Sequence, residues 1–141
     1  MTIYADTSFL VSLYLTDAHT AEAERRIASK PVLWLTPLHR AEWAHALEQH
    51  VFRRQLSVRE ARQLDADFEN DRAAGVYAEA GLSETAFDLC VQLARRHTAR
   101  FGNRTLDSLH VAHALELGAE RFWTFDDRQA RLGRAEGLKT N

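Results

Sequence analysis

The sequence predicts an α/β fold: a three-layer sandwich in which a short parallel sheet of four or five strands carries helices on both faces. Residues 1–141 are expected to form one domain. Three observations lead there. Short β-prone runs alternate with longer helical ones, the pattern of a parallel sheet joined by crossover helices. The helix starts carry recognisable caps. Only 6 Gly and 2 Pro are present, which favours long helices and leaves no obvious linker.

Thr2 to Ala5 is β-prone and is read as the first strand, with Asp6-Thr7-Ser8 as the turn after it. Phe9 to Leu15 is apolar on most sides and predicts a buried helix. Asp17 can cap a helix reaching about Ser29. Val32 to Leu35 is the second strand. Thr36-Pro37 opens a helix running to about Arg54, with Thr as N-cap and Pro at the first helical position. Ser57 with Glu60 makes a capping box for the next helix, which Gly75 ends. Val76 to Glu79 is the third strand. Ser83 opens a helix to about His97, and Thr105 opens another that Gly118 closes. Arg121 to Thr124 is the fourth strand, and Asp126-Asp127 starts a short final helix.

Hydrophobic residues make up 45% of the chain and charged residues 27%, as in an ordinary soluble domain. The formal net charge is -2 and the pI about 6.4, whereas a protein that grips nucleic acid by charge alone is basic. Binding RNA would therefore require metal ions or a local basic patch. Cys90 is the only cysteine, so no internal disulfide can form, which suits a reducing cytosol. No run approaches the ~20 apolar residues of a membrane span, and Met1 to Asp6 does not read as a signal peptide. A cytoplasmic protein is expected.

In open α/β sheets, ligands bind beyond the carboxyl ends of the strands. Asp6 follows the first strand and Asp126 the fourth. Glu42 lies in the second turn of the helix after the second strand. Asp107 lies in the first turn of the helix leading into the fourth, and that helix begins at the same edge. Four acids distant in sequence are thus expected at one edge. Asp107 also heads an apolar stripe through Val111 and Ala114, which suits a carboxylate facing a cleft. Two unit charges ~4 Å apart repel by roughly 4 kcal/mol at an effective dielectric of 20. A proton or a cation must offset such a cluster. Carboxylates without His or Cys suit a hard ion, Mg²⁺ or Mn²⁺, which can activate water.

Each acid also has an ordinary reading. Asp107 alone is a favourable anion at a helix N-terminus. Asp6 is a turn residue, Asp126 an N-cap, and Glu42 a surface residue. Seven His residues offer no zinc motif: His45 and His50 are five apart, and nothing near His110 and His113 completes a ligand set. His110 lies one turn from Asp107 and could line the site, though packing is the preferred reading. Cys90, Trp34, Trp43 and Trp123 are read as packing residues. Arg100 and Arg104 precede the Asp107 helix, and Arg104 is the preferred phosphate contact. Arg53-Arg54 and Arg95-Arg96 are read as solvated helix surface.

Four segments resemble the PIN-domain nucleases, especially VapC-type toxins of toxin–antitoxin pairs. They are Tyr4-Ala5-Asp6-Thr7-Ser8, Arg40-Ala41-Glu42, Leu106-Asp107-Ser108-Leu109-His110-Val111-Ala112 and Trp123-Thr124-Phe125-Asp126. Their order and setting fit over essentially the whole chain. The resemblance implies a Mg²⁺- or Mn²⁺-dependent endoribonuclease yielding 5′-phosphate ends, a cognate antitoxin and often a homodimer. It makes Asp6 and Asp107 the firmest metal ligands. Glu42 and Asp126 complete the site, with Asp127 as an alternative to Asp126. Hydroxyls such as those of Thr7, Ser8 and Thr124 commonly support the pocket.

The rivals are weaker. A receiver-like signalling domain needs a Lys after a late strand, but the only lysines are Lys30 and Lys139. An Asp-x-Asp phosphatase is opposed by Ser8, and the early Asp-x-Glu of a proofreading exonuclease is absent. A non-catalytic PIN-fold module that binds RNA or protein remains the alternative of a different class.

Overall fold

The computed structural model describes all 141 residues. Four strands, β1 (Thr2–Ala5), β2 (Val32–Leu35), β3 (Tyr77–Glu79) and β4 (Arg121–Trp123), form one sheet in the order β3-β2-β1-β4. Every pairing is parallel, with Ile3 opposite Leu33 on one side and opposite Arg121 on the other. The C-terminal segment covers the outer edge of β4, where Phe122 N donates to Lys139 O at 2.8 Å.

Side chains alternate across a strand, so each strand feeds two cores. Ile3, Ala5, Leu33 and Leu35 enter one core with Phe9, Trp43 and Phe68. Tyr4 and Phe122 enter the other, with Leu93, Leu109, Val111 and Leu132. Helices therefore pack on both faces, and the strands sit in the middle layer.

The helices are α1 (Thr7–Tyr14), α2 (Thr20–Ile27), α3 (Pro37–Phe52), α4 (Val58–Ala73), α5 (Glu84–Leu93), α6 (Ala99–Phe101), α7 (Thr105–Glu116) and α8 (Asp127–Ala135). Some boundaries differ from the expectation, each for a local reason. Asp6 is not a mid-turn residue: its carboxylate accepts from Phe9 N and caps α1, so Thr7 is already helical. Asp17 stands before α2 rather than at its cap. Its carboxylate holds the preceding turn by accepting from His19 N at 2.7 Å, and the helix starts at Thr20. The run opened by Ser83 passes His97 through a π turn at Ala94–Thr98 and continues to Phe101, where Gly102 stops it with a φ of 68°.

One contact positions α3 against the functional edge. His39 is fully buried; its Nε2 donates to Ala5 O at 2.7 Å, and its Nδ1 accepts from Thr36 N at 3.0 Å. These roles fix one neutral tautomer, and burial holds its pKa well below the ordinary histidine value. His39→Leu strands both backbone groups and is expected to cost about 3 kcal/mol, at roughly 1–3 kcal/mol per stranded group. Urea unfolding of the variant measures that loss.

Candidate active site at the carboxyl edge

β1 and β4 are neighbours, and their carboxyl ends place Asp6 and Thr124 side by side. Asp6 N donates to Trp123 O at 2.9 Å, extending the ladder by one residue. The Asp6 side chain is buried. Its two oxygens accept from Ser8 Oγ at 2.9 Å each, from Phe9 N at 3.0 Å and from Thr124 Oγ1 at 2.9 Å. All of these donors are neutral, and no cationic side chain touches the carboxylate. Burial raises the Asp6 pKa; the charge of His110 and the donors from Phe9, Ser8 and Thr124 oppose it without cancelling it.

The other candidate acids are each held by partners of their own. Asp126 N donates to Thr124 Oγ1 at 3.0 Å, and the Asp126 carboxylate caps α8 by accepting from Gln129 N at 2.8 Å. Gln129 also reaches the backbone of Asp107, its Nε2 donating to Asp107 O at 3.4 Å. Asp107 is half-buried and accepts from Arg104 N at 3.1 Å and Arg104 Nε at 3.3 Å. Asp127 is exposed in the first turn of α8.

Glu42 is half-buried on α3 and is held from two directions. Thr7 Oγ1 donates to its Oε1 at 2.8 Å, and His110 Nε2 donates to the same oxygen. His110 is itself fixed from behind, with Tyr4 Oη 2.8 Å from Nδ1. Burial works against the charge on Glu42, but the His110 contact, Thr7 and the charge of Arg104 together lower its pKa below the usual carboxylate value.

Sequence reasoning missed Tyr4 as part of this site and preferred packing for His110, which is buried, yet both its ring nitrogens are engaged and one holds a candidate acid. The available signal was its position one turn after Asp107. His113 is buried with neither ring nitrogen hydrogen-bonded, as a packed residue.

The donors are oxygens and therefore fit a hard divalent ion in kind. The buried Asp6 carboxylate, hydrogen-bonded only by neutral donors, is also what such an ion would offset. Thr124 and Gln129 link Asp6 to Asp126 and to the Asp107 backbone, while Glu42 belongs to a separate set with Thr7 and His110, and the carboxylates do not form a cage: no three His, Cys, Asp or Glu side chains are grouped to hold one ion. A groove of about 590 Å³ opens beside Thr7 and Glu42, lined further by Leu38, His45, Gln49 and Leu106.

The PIN domain family model matches residues 3–135. Among solved structures, VapC20 of Mycobacterium tuberculosis, described as a sarcin-ricin-loop-cleaving toxin, superposes with a TM-score of 0.70 at 22% identity, covering 96% of this chain and 95% of that one. FitAcB from Neisseria gonorrhoeae gives 0.75 at 15% identity, covering 99% and 96%. VapBC2 from Rickettsia felis, bound to a DNA fragment of its promoter, gives 0.67 at 14% identity, covering 100% and 98%. None of the curated proteins compared matches the chain.

The buried charge has a measurable consequence. The folded Asp6 pKa lies above the ordinary 3.8, so folding favours its protonated form, and stability falls as pH rises through the folded pKa. Asp6→Asn removes this penalty. In metal-free buffer the variant is expected to melt higher than wild type at neutral pH, with the gap closing as pH falls below that ordinary value. Thermal melts with EDTA across pH check the sign.

Proposed function

The chain belongs to the PIN-domain family, and from that membership we propose that it is a divalent-metal-dependent endoribonuclease, the toxin of a toxin–antitoxin pair. The observation that carries the reading is the buried Asp6 carboxylate at the β1–β4 edge, hydrogen-bonded only by neutral donors, on the sheet edge next to the helices that bear Glu42, Asp107 and Asp126. Mg²⁺ or Mn²⁺ is the matching cofactor. Asp6 and Asp107 would hold it, while Glu42 and Asp126, or Asp127 in place of Asp126, would fill the outer positions. When bound, such an ion lowers the pKa of water and stabilises charge on a phosphodiester undergoing in-line displacement.

The chain's own residues prepare that site. Ser8 and Thr124 orient the Asp6 oxygens. Thr7 and His110 fix Glu42, and Tyr4 fixes the His110 ring. Arg104 stands at the mouth with its side chain 76% exposed, placed to meet a substrate phosphate.

A cognate antitoxin and a homodimer complete the proposal. Structural neighbours that are toxin–antitoxin complexes, among them one from Klebsiella pneumoniae, support the first. Phe87 and Val91, exposed one turn apart on α5, offer apolar surface to a protein partner. No helix is long and apolar enough to cross a membrane; the proposed setting is the cytoplasm. The engagement of Glu42 and Asp107 by protein partners favours a second reading, a PIN-fold module that binds without cleaving.

Cleavage of single-stranded RNA with Mg²⁺ or Mn²⁺, and with EDTA, separates the two readings. EDTA is expected to abolish cleavage. Asp6→Asn and Asp107→Ala are expected to lower kcat on the order of 100-fold or more while keeping the fold. His110→Ala, which frees Glu42, is expected to lose about tenfold. Cleavage that survives EDTA or Asp6→Asn contradicts the metal-centred reading.

A further inference from the structure

A chain with a net charge of -2 has no general attraction for a polyanion, so a nuclease of this composition needs its positive charge concentrated. The stretch 94–104, Ala-Arg-Arg-His-Thr-Ala-Arg-Phe-Gly-Asn-Arg, contains four arginines and no acid. The last helix, α8, adds Arg128, Arg131 and Arg134. The fold brings these two distant segments together.

Two contacts join them, and a third packs on the same ring. Asn103 Nδ2 donates to Arg128 O at 3.2 Å. The guanidinium of Arg100 lies 4.7 Å from the centroid of the Phe101 ring, and that of Arg131 lies 5.8 Å from the same ring. Arginines from two segments thus pack against one buried aromatic side chain, on which the His97 ring also stacks. The π turn divides its own charges. Arg96 and His97 contact Glu136 at 2.8 and 2.6 Å, whereas Arg95 lines a groove of about 380 Å³ with Thr98, Asn103, Arg104 and Thr105. Arg95-Arg96 is therefore more than a solvated pair: one arginine pins the helix to α8 and the other faces the groove.

The charge on this face is largely unspent. Arg95, Arg100, Arg128, Arg131 and Arg134 have no carboxylate within ion-pair distance, and all five are exposed. Arginines elsewhere are often neutralised locally: Arg25 and Arg26 pair with Glu22, and Arg72 with Glu69 and Glu79. The acids near the basic face are few. Glu136 is taken by Arg96 and His97, Asp107 pairs with Arg104, and Asp127 is unpaired at the start of α8. The face also abuts the candidate site, because Arg104 contacts Asp107 and Arg128 follows Asp126 by two residues.

We propose that the face built from the π turn, α6 and α8 is the track along which the backbone of a single-stranded RNA approaches the acidic edge. The proposal rests on the nuclease reading above. The arginines on this face hold phosphates by charge, which fixes the path of the strand without reading its sequence. Arg100 and Arg131 are the central pair, both packed against the Phe101 ring.

The test is binding of a labelled single-stranded RNA to the full chain, by fluorescence anisotropy in EDTA across a salt series. Each phosphate contact on a single strand contributes about 0.7 to the slope of log affinity against log salt. Arg100→Gln with Arg131→Gln is therefore expected to reduce the slope by about 1.4, and affinity in about 0.1 M salt by roughly 25-fold. With metal present, KM for RNA rises and kcat holds. Arg100→Lys with Arg131→Lys keeps the charge and restores most of the slope, which separates lost charge from lost packing. Arg53→Gln with Arg54→Gln, at the far end of α3, leaves the slope unchanged. If the Arg100 and Arg131 glutamine pair binds RNA with wild-type affinity and slope while the wild type still cleaves, the track is wrong and the nuclease reading stands. An equal loss in the Arg53 and Arg54 pair also overturns the track. If the wild type neither binds nor cleaves single-stranded RNA, both readings fail.

Discussion

One buried negative charge organises this molecule. Asp6 ends the strand that lies between β2 and β4, and its carboxylate is held within the protein by three neutral side-chain and backbone partners. Ionising it there is costly, and the upward shift of its pKa expresses that cost. The same side chain caps α1 and, through Thr124, fixes the turn that leads into α8. It cannot be removed from the architecture without loosening two helix starts. A structural cap needs no buried anion, since Ser, Thr or Asn serves as well. An acid that burial penalises at this point is better explained by a cation.

The surrounding elements are anchored to the same edge by polar contacts. His39 ties the start of α3 to the end of β1. Tyr4, one residue earlier in the strand pattern and on the opposite face, ties α7 through His110. Glu42 and Asp107 thus arrive on helices tied by hydrogen bonds to β1, α3 at its start and α7 at its middle. Apolar packing supplies the two cores, and these hydrogen bonds set where the helices begin. The basic face joins the same edge through Arg104 and Asn103, so opposite charges occupy adjoining surfaces, a separation that composition alone conceals.

Much of the fold was legible because its signals are local. The short β-prone runs Thr2–Ala5 and Val32–Leu35, the Thr36-Pro37 start and the Ser57 with Glu60 box all mark elements the structure contains. The π turn at Ala94–Thr98 was not legible, because it depends on Arg96 and His97 reaching Glu136, some 40 residues away. The placement of the four acids near one edge followed from topology. Their partners did not: Thr7 and His110 on Glu42, and Arg104 on Asp107, are tertiary or rotamer facts. The burial of His110 was expected, but its hold on Glu42 was not, since a histidine on an apolar helix face looks the same whether or not a carboxylate lies beyond it.

The central claim is that the Asp6 charge is completed by a divalent ion. The most direct measurement is diffraction from crystals grown with Mn²⁺, using its anomalous signal. The account predicts a peak in contact with the carboxylates of Asp6 and Asp107, with Asp107 turned away from Arg104. A saturating Mn²⁺ concentration that leaves no peak against Asp6, with the carboxylate still held by Ser8, Phe9 and Thr124 alone, would contradict it.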